Sequence, residues 1–259
     1  MPKFISLLLV VLMTQLLSAQ IVGVDIFPLN KEKRKGGLFI EPQINTTFGS
    51  KVNATIDQNH SLYSLKEKGN GNLGAGLEVG WFQSFKKKKY FIHYLEFSAA
   101  YSYIHGNVKH EGELQHLGNT FEYLSKNTFK NQYLTAAIRA TNATQLGHYS
   151  YLSTSLGLNY NYILDAKYEY ELIHPTFEED FHNKHSLQLH LKVGLGFKTS
   201  PSSNTILMPT VWTPLLTAYP FDNINPAFPY FNSKFHPIFI GIKFLFLRDD
   251  PNCNTPNFN

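Results

Sequence analysis

Tyr149–Asp165 reads YSYLSTSLGLNYNYILD. Leu152, Thr154, Leu156, Leu158, Tyr160, Tyr162 and Leu164 fall on one side of a period of two. Ser153, Ser155, Gly157, Asn159, Asn161 and Asp165 fall on the other, with Ile163 off the pattern. A period of two marks a β-strand, whose successive side chains face opposite ways. The segment exceeds the ~9–11 residues that a tilted strand needs to cross a membrane. Its closing aromatics suit a membrane–water interface, where a ring sits half in hydrocarbon and half in water. The stretch therefore reads as one stave of a transmembrane barrel.

Working outward, seven further strand segments follow, six of them with the same pattern. Gly37–Phe48 sets Leu38, Ile40, Ile44 and Phe48 against Glu41, Gln43, Asn45 and Thr47, with Pro42 requiring an edge-like or bulged spot. Leu73–Phe85 sets Leu73, Ala75, Leu77, Val79 and Trp81 outward, with Gly74, Gly76, Glu78 and Gly80 inward. Tyr90–Ile104 shows Leu95, Phe97, Ala99, Tyr101 and Tyr103 outside and Tyr94, Glu96, Ser98 and Ser102 inside. Gln132–Thr141 shows Leu134, Ala136, Ile138 and Ala140 against Thr135, Arg139 and Thr141. In Ser186–Lys198, Leu187, Leu189, Leu191, Val193, Leu195 and Phe197 alternate with Gln188, His190, Lys192, Gly194, Gly196 and Lys198. Thr205–Thr217 carries Pro209 and Pro214 and chooses no face. Phe235–Leu247 opposes Ile238, Ile240, Ile242, Phe244 and Phe246 to Gly241 and Lys243.

The connections alternate in length. Gly49–Asn72, His105–Asn131, Ala166–His185 and Ala218–Lys234 are long; Lys86–Lys89, Asn142–Gly147 and Thr199–Asn204 are short. An up-and-down barrel with a periplasmic N-terminus has short turns on that side and long loops outside. A Greek-key sandwich has no reason to alternate in this way. The polar faces carry Gly, Ser, Thr, Asn and isolated charges, which suits a narrow barrel interior better than a solvated surface.

The N-terminus agrees with export. Lys3 precedes the apolar run Phe4–Leu17, and Leu17-Ser18-Ala19 supplies small residues before Gln20, the layout of a cleaved signal peptide over residues 1–19. Residues 20–36 form a basic periplasmic lead-in, 37–247 the barrel and 248–259 a polar tail. At 259 residues, 43% hydrophobic, 15% aromatic and 16% charged, the chain suits one barrel or one large soluble β domain, so composition alone does not separate them. The single cysteine, Cys253, forms no internal disulfide.

With signal peptide, strand alternation and loop alternation in place, Gly37–Leu247 resembles the small eight-stranded outer-membrane barrels of the OmpA/OmpX-like kind. The resemblance implies an all-β up-and-down barrel in the cell outer membrane of a Gram-negative bacterium. Its implied surroundings are lipid and lipopolysaccharide, and its implied helper is the outer-membrane assembly machinery. Such barrels commonly end on an aromatic of the last strand. Here Phe244 and Phe246 lie within that strand, ahead of a polar tail containing Phe258.

Several constellations carry potential chemistry. Glu41, Glu78, Glu96, Arg139, Lys192 and Lys243 are inward charges from six strands. An eight-stranded interior is just wide enough for side chains to fill, and an unpaired buried charge costs several kcal/mol. These six are therefore expected to pair into a lumen network, closing the barrel or lining a path for small ions. Trp81, Tyr101, Tyr103, Tyr160 and Tyr162 read as interfacial aromatics. His105, His110 and His116, and His174, His182 and His185 beside Glu178, Glu179 and Asp180, match no metal-ligand spacing. His148-Tyr149-Ser150 shares the His-x-Ser core of lipid A deacylases. Tyr151 stands where that motif has Asn, and the triplet falls by a short turn. The basic run Lys86–Lys89 reads as a turn beside acidic lipid, with no nucleic acid as partner.

The reading is a non-enzymatic outer-membrane protein, without cofactor or metal, whose loops meet an extracellular ligand in adhesion or protection. A small-solute or ion pore, a barrel subunit assisting secretion or envelope assembly, and an exported soluble β domain stand as alternatives.

Overall fold

The computed structural model describes residues 36–58, 61–85, 92–116, 119–147, 150–171, 184–198, 204–218 and 235–247. The signal peptide, the lead-in to 35, Lys86–Lys89, His148-Tyr149, His174, His182, the Glu178–Asp180 run and the tail with Cys253 and Phe258 lie outside them.

Nine strand segments follow in order: β1 Gly36–Gln58, β2 Ser61–Gly71, β3 Gly74–Ser84, β4 Tyr94–His116, β5 Asn119–Gly147, β6 Ser150–Glu171, β7 His185–Lys198, β8 Thr205–Ala218 and β9 Phe235–Leu247. Every pairing is antiparallel. Strands β3 to β9 pair in sequence order, β3 pairs with β1, and β9 returns to β1, so the sheet closes on itself. Segments β2 and β3 share one stave, parted at Asn72–Leu73. β2 runs between the upper parts of β1 and β4, and β3 between their lower parts. The result is a closed barrel of eight antiparallel staves.

Alternation sorts the two faces of the wall. Leu38, Ile40, Ile44, Leu77, Val79, Phe97, Leu134, Ile138, Leu156, Leu158, Leu195, Ile240 and Ile242 are exposed, while Glu41, Gln43, Asn45, Thr135, Asn159, Gln188 and Lys243 are buried. From Leu38 to Phe48 on β1, the outward apolar band spans roughly 25 Å once the strand tilt is included, the height of a bilayer's hydrocarbon zone.

Three departures from the sequence reading have physical causes. Much of the long connections is strand rather than loop. β1 continues to Gln58 and pairs with β2, β4 continues to His116 and β5 begins at Asn119, with a register unbroken from Tyr94↔Thr141 to His116↔Asn119. β6 likewise continues to Glu171, and β5 runs through the Asn142–Gly147 turn to Gly147. Beyond the apolar band no hydrocarbon selects an apolar face, so the apolar period that marks the strand within the band is absent from the sequence. The ladder of backbone hydrogen bonds still holds the strand.

Asp165, expected inside, stands opposite Gln132 on the outer face. A bulge gives β6 one extra residue between Ile163 and Asp165 and inverts the parity beyond it. β8 does choose faces: Ile206, Met208, Thr210 and Trp212 are buried, and Leu207 and Val211 are exposed. Its pattern is illegible because its inward residues are mostly apolar. A second bulge gives β8 the extra residue Leu215, so that Pro214 stands opposite His190 and Leu216 opposite Leu189.

Candidate functional site in the barrel interior

The inward side chains form three levels. The lowest, beside the short turns, is apolar: Phe39, Phe82, Tyr94, Ala143, Tyr151, Ile206, Met208, Leu245 and Leu247 make one buried cluster. Phe82 and Tyr94 meet edge to face at 5.8 Å, and the Tyr94 hydroxyl lies 3.1 Å from Ser153 Oγ. Burial of a tyrosine ring is tolerated where its hydroxyl finds such a partner.

Above this floor the structure brings all six expected charges together, each no more than 2% exposed. Lys192 Nζ donates to Glu41 Oε2 at 2.6 Å and to Glu78 Oε2 at 3.2 Å. Arg139 Nη1 pairs with Glu78 and, at 3.3 Å, with Glu96 Oε2. Lys243 Nζ donates to Glu96 Oε1 at 2.7 Å, lies 3.8 Å from Glu41 Oε2, and sits 4.5 Å from the centre of the Phe39 ring. Three acids against three bases leave the layer formally neutral.

Neutral groups complete the layer. Gln43 Nε2 donates to Glu78 at 2.8 Å, Thr210 Oγ1 to Glu41 at 2.6 Å, and Arg139 Nε to His190 Nε2 at 2.8 Å. That last bond makes His190 Nε2 an acceptor, so the ring is neutral beside the guanidinium. Gly157 supplies room: a Cβ there would stand 2.5 Å from Arg139 Cγ and 2.7 Å from His190 Cε1.

The third level roofs the charges. Trp212 stacks on Phe239 at 3.7 Å and 4°, meets His190 at 5.4 Å, and donates its indole N–H to Gln43 Oε1 at 3.2 Å. Around and above it lie buried amides and hydroxyls. Thr135 donates to Asn161 at 2.7 Å, and Asn161 to Ser186 at 3.3 Å. The Asn131 amide, Asn159 Oδ1 and Gln188 Nε2 have no partner among the described residues. The ionic layer is thus held between apolar side chains on one side and an aromatic stack on the other. There the local dielectric is low and each pair is strengthened.

The sequence did not reveal the floor, the roof, or the parts played by Gln43, His190, Thr210 and Trp212. One signal was available for the floor: Phe39 and Phe82 share the strand parity of Glu41 and Glu78, so apolar residues near the short turns were already on the inner side.

The five aromatics assigned to the interface all stand on the outer wall. Trp81 stacks on Phe97 at 5.6 Å near the short-turn end. The tyrosines stand at the other end, each with a polar neighbour. Tyr101 donates to Gln132 Oε1 at 3.0 Å, Tyr103 stacks on His105 at 5.1 Å, and the Tyr160 hydroxyl lies 2.6 Å from His185 Nδ1. The Tyr162 ring lies 5.1 Å from His185. His105 and His185 are thus engaged with aromatics at separate staves. Among the described residues no group of His, Cys, Asp and Glu is arranged to hold a metal.

No protein-family model matches the sequence, and no curated protein is similar to it. Among solved structures, the chain is similar to the attachment invasion locus protein Ail of Yersinia pestis, in complex with the heparin analogue sucrose octasulfate. The match has 10% identity and a TM-score of 0.34, covering 82% of this chain and 98% of that one. It is similar to the outer membrane protein OprG of Pseudomonas aeruginosa at 11% identity and a TM-score of 0.33, over 82% and 94% of the two chains. The transport unit of the autotransporter AIDA-I from Escherichia coli matches at 10% identity and 0.24, over 91% and 97%.

The assignment rests on the molecule itself. A closed sheet leaves no backbone edge in hydrocarbon, and an apolar belt around a polar interior is the inverse of a soluble domain. Barrels so built are those of outer membranes. The chain is an eight-stranded antiparallel outer-membrane β-barrel.

Proposed function

We propose that this is a non-enzymatic surface protein, exported by a signal peptide cleaved after Ala19. In this reading the barrel anchors a protruding β-wall, and ion pairs between an apolar floor and an aromatic roof close the lumen. The observation that carries it is the unbroken β4–β5 register. From Tyr103 to His116 that hairpin rises roughly 30 Å beyond the apolar band after allowing for tilt. A wall of this height presents a rigid surface to the outside, and contact surfaces on rigid scaffolds commonly carry function. Adhesion to, or protection from, an extracellular partner is the task that such a wall performs. Trp81 at one end and Tyr101, Tyr103, Tyr160 and Tyr162 at the other act as the interfacial girdles. The assembly machinery inserts the barrel.

A small-solute pore is the second reading, favoured by the buried Asn131 amide, Asn159 Oδ1 and Gln188 Nε2, which find no partner among the described residues. Against it stands the floor, because a continuous apolar constriction excludes water and ions.

Two measurements test the reading together. Purified, refolded protein in a planar bilayer is expected to pass no steady current. Arg139→Ala/Lys192→Ala should also stay silent, since the floor persists beneath the altered charges. Steady steps in the parent would establish the pore instead. In cells, replacing residues 106–129 by a short turn should leave a folded, membrane-embedded barrel while surface adherence or serum resistance falls. No change in either property would defeat the wall as the working part.

A further inference from the structure

The register of the protruding wall sets Lys51 opposite Lys68, Lys68 opposite Lys109, and Lys109 opposite Lys126. Four lysine positions therefore share one row across β1, β2, β4 and β5. At the ~4.8 Å spacing between strands the row is roughly 14 Å long. It ends opposite Glu171 on β6. Like charges directly opposite each other destabilise a sheet, so a row of three successive like pairs is contrary to what stability alone favours. A ligand carrying several anionic groups removes that conflict.

The position of the row selects the ligand. On β4 the outward parity of Phe97, Tyr101 and Tyr103 continues without a bulge to Lys109, and on β5 that of Leu134 and Gln132 continues to Lys126. Lys109 and Lys126 are both exposed. Lys109 and Lys126 consequently face sideways from the barrel, over the surrounding membrane. The row lies six residues beyond Tyr103, roughly 15 Å above that residue after tilt. A lower tier, Lys130 opposite Lys167, lies between the two.

Charge changes sign with height. The next row toward the tip sets Lys66 opposite Glu111, and the one after sets Glu113 opposite Glu122. On β2, β4 and β5 the lysines of the row thus lie nearer the membrane than the acids, while β6 carries Asp165 and Glu169 below the row. That order suits anions fixed in the leaflet, because a freely diffusing polyanion approaching from the tip would meet the acids first.

We propose that this lysine row is a docking surface for the phosphorylated sugar core of the glycolipid in the surrounding outer leaflet. The proposal rests on the wall being extracellular, as in the reading above. Several phosphates borne on one glycan match several lysine positions spaced along one row, and the membrane keeps the ligand beside it.

The test uses refolded full-length protein in neutral detergent micelles. It is titrated with lipopolysaccharide bearing a phosphorylated inner core, with the same lipopolysaccharide after dephosphorylation, and with heparin as a soluble polyanion. The parent should hold the phosphorylated form at least tenfold more tightly than the dephosphorylated one, and added salt should weaken that binding. Lys109→Gln/Lys126→Gln should lose at least tenfold, and Glu111→Gln/Glu113→Gln should lose nothing. Equal affinity for both lipopolysaccharides, or undiminished affinity in the lysine variant, would overturn the proposal. Heparin bound as tightly as the phosphorylated form would overturn it too, by assigning the row to a soluble polyanion. Carbonate washing of membranes separates the two levels of failure. A chain released by carbonate sinks the anchor itself, whereas a retained chain indifferent to phosphate sinks only the docking surface.

Discussion

Arg139 is where the interior can be tested by subtraction. Its guanidinium pairs with Glu78 and Glu96 and donates through Nε to His190. Replacing it with Ala leaves three buried acids against two bases. Glu78 would retain Lys192 at 3.2 Å and Glu96 would retain Lys243 at 2.7 Å, so one negative charge stays uncompensated in a dry layer. Breaking a buried pair from one side costs about 3–5 kcal/mol. The same pair in bulk water would contribute about 0–1 kcal/mol. Adding Glu78→Gln to Arg139→Ala restores two acids against two bases and should recover about 2 kcal/mol of the loss, a coupling visible only in the double variant. The assay is urea unfolding in lipid vesicles, followed by tryptophan fluorescence, on the parent and the two variants. A loss below about 1 kcal/mol for Arg139→Ala with no recovery in the double variant would refute the reasoning. It would mean that the charges are hydrated and the lumen is wet.

Three further outcomes are expected. Gly157→Ala, whose Cβ would stand 2.5 Å from Arg139 Cγ and 2.6 Å from Ile138 O, should lower stability by about 1–3 kcal/mol in the same unfolding assay. Brominated lipid should quench Trp81, 43% exposed on the outer wall, and spare Trp212, 8% exposed in the lumen; quenching should vanish in Trp81→Phe and persist in Trp212→Phe. In the short turn before β4, His93 Nδ1 accepts the Ala143 N–H at 2.9 Å, and burial holds its pKa below the ordinary histidine value. The unfolded chain then binds the extra proton first. The stabilising contribution is complete above about pH 6.5 and is lost as pH falls through the lower folded value. The unfolding midpoint of the parent should therefore drop more between pH 7.5 and 5.5 than that of His93→Gln.

What could be read from the sequence follows the solvent. Where lipid bathes one side and packed polar groups the other, as in Leu187–Phe197, alternation is complete and each face was assigned as the structure has it. Beyond the apolar band, as in Ser61–Gly71 and Gly106–His116, no hydrocarbon selects an apolar face, the sequence shows no alternation and strands pass for loops. Where the inner side is also apolar, as with Met208 and Trp212 on β8, alternation again disappears. The six charges were legible because a charge on the inner parity of a narrow barrel has nowhere to go except to another charge. Their individual partners were not, since Glu41 meets Lys192 across 151 residues of chain and only the curvature of the barrel joins them.

Those partnerships bear on how the molecule is made. Glu41 stands on the first stave, Lys243 on the last and Lys192 between them. Arg139–Glu96 joins neighbouring staves and Glu41–Lys243 spans the β1–β9 seam, while Lys192–Glu41, Lys192–Glu78 and Lys243–Glu96 reach across the lumen; all but the first need the sheet to be closed. An open sheet, however complete its local hairpins, cannot form those that span the lumen or the seam. It would carry three acids and three bases on a surface still seeking its opposite side. The interior is therefore completed only when β9 meets β1. Until then the chain needs water or a chaperoning surface against its inner face. Joining of that seam should be cooperative and late, and once complete it should resist reopening far more than any one hairpin does.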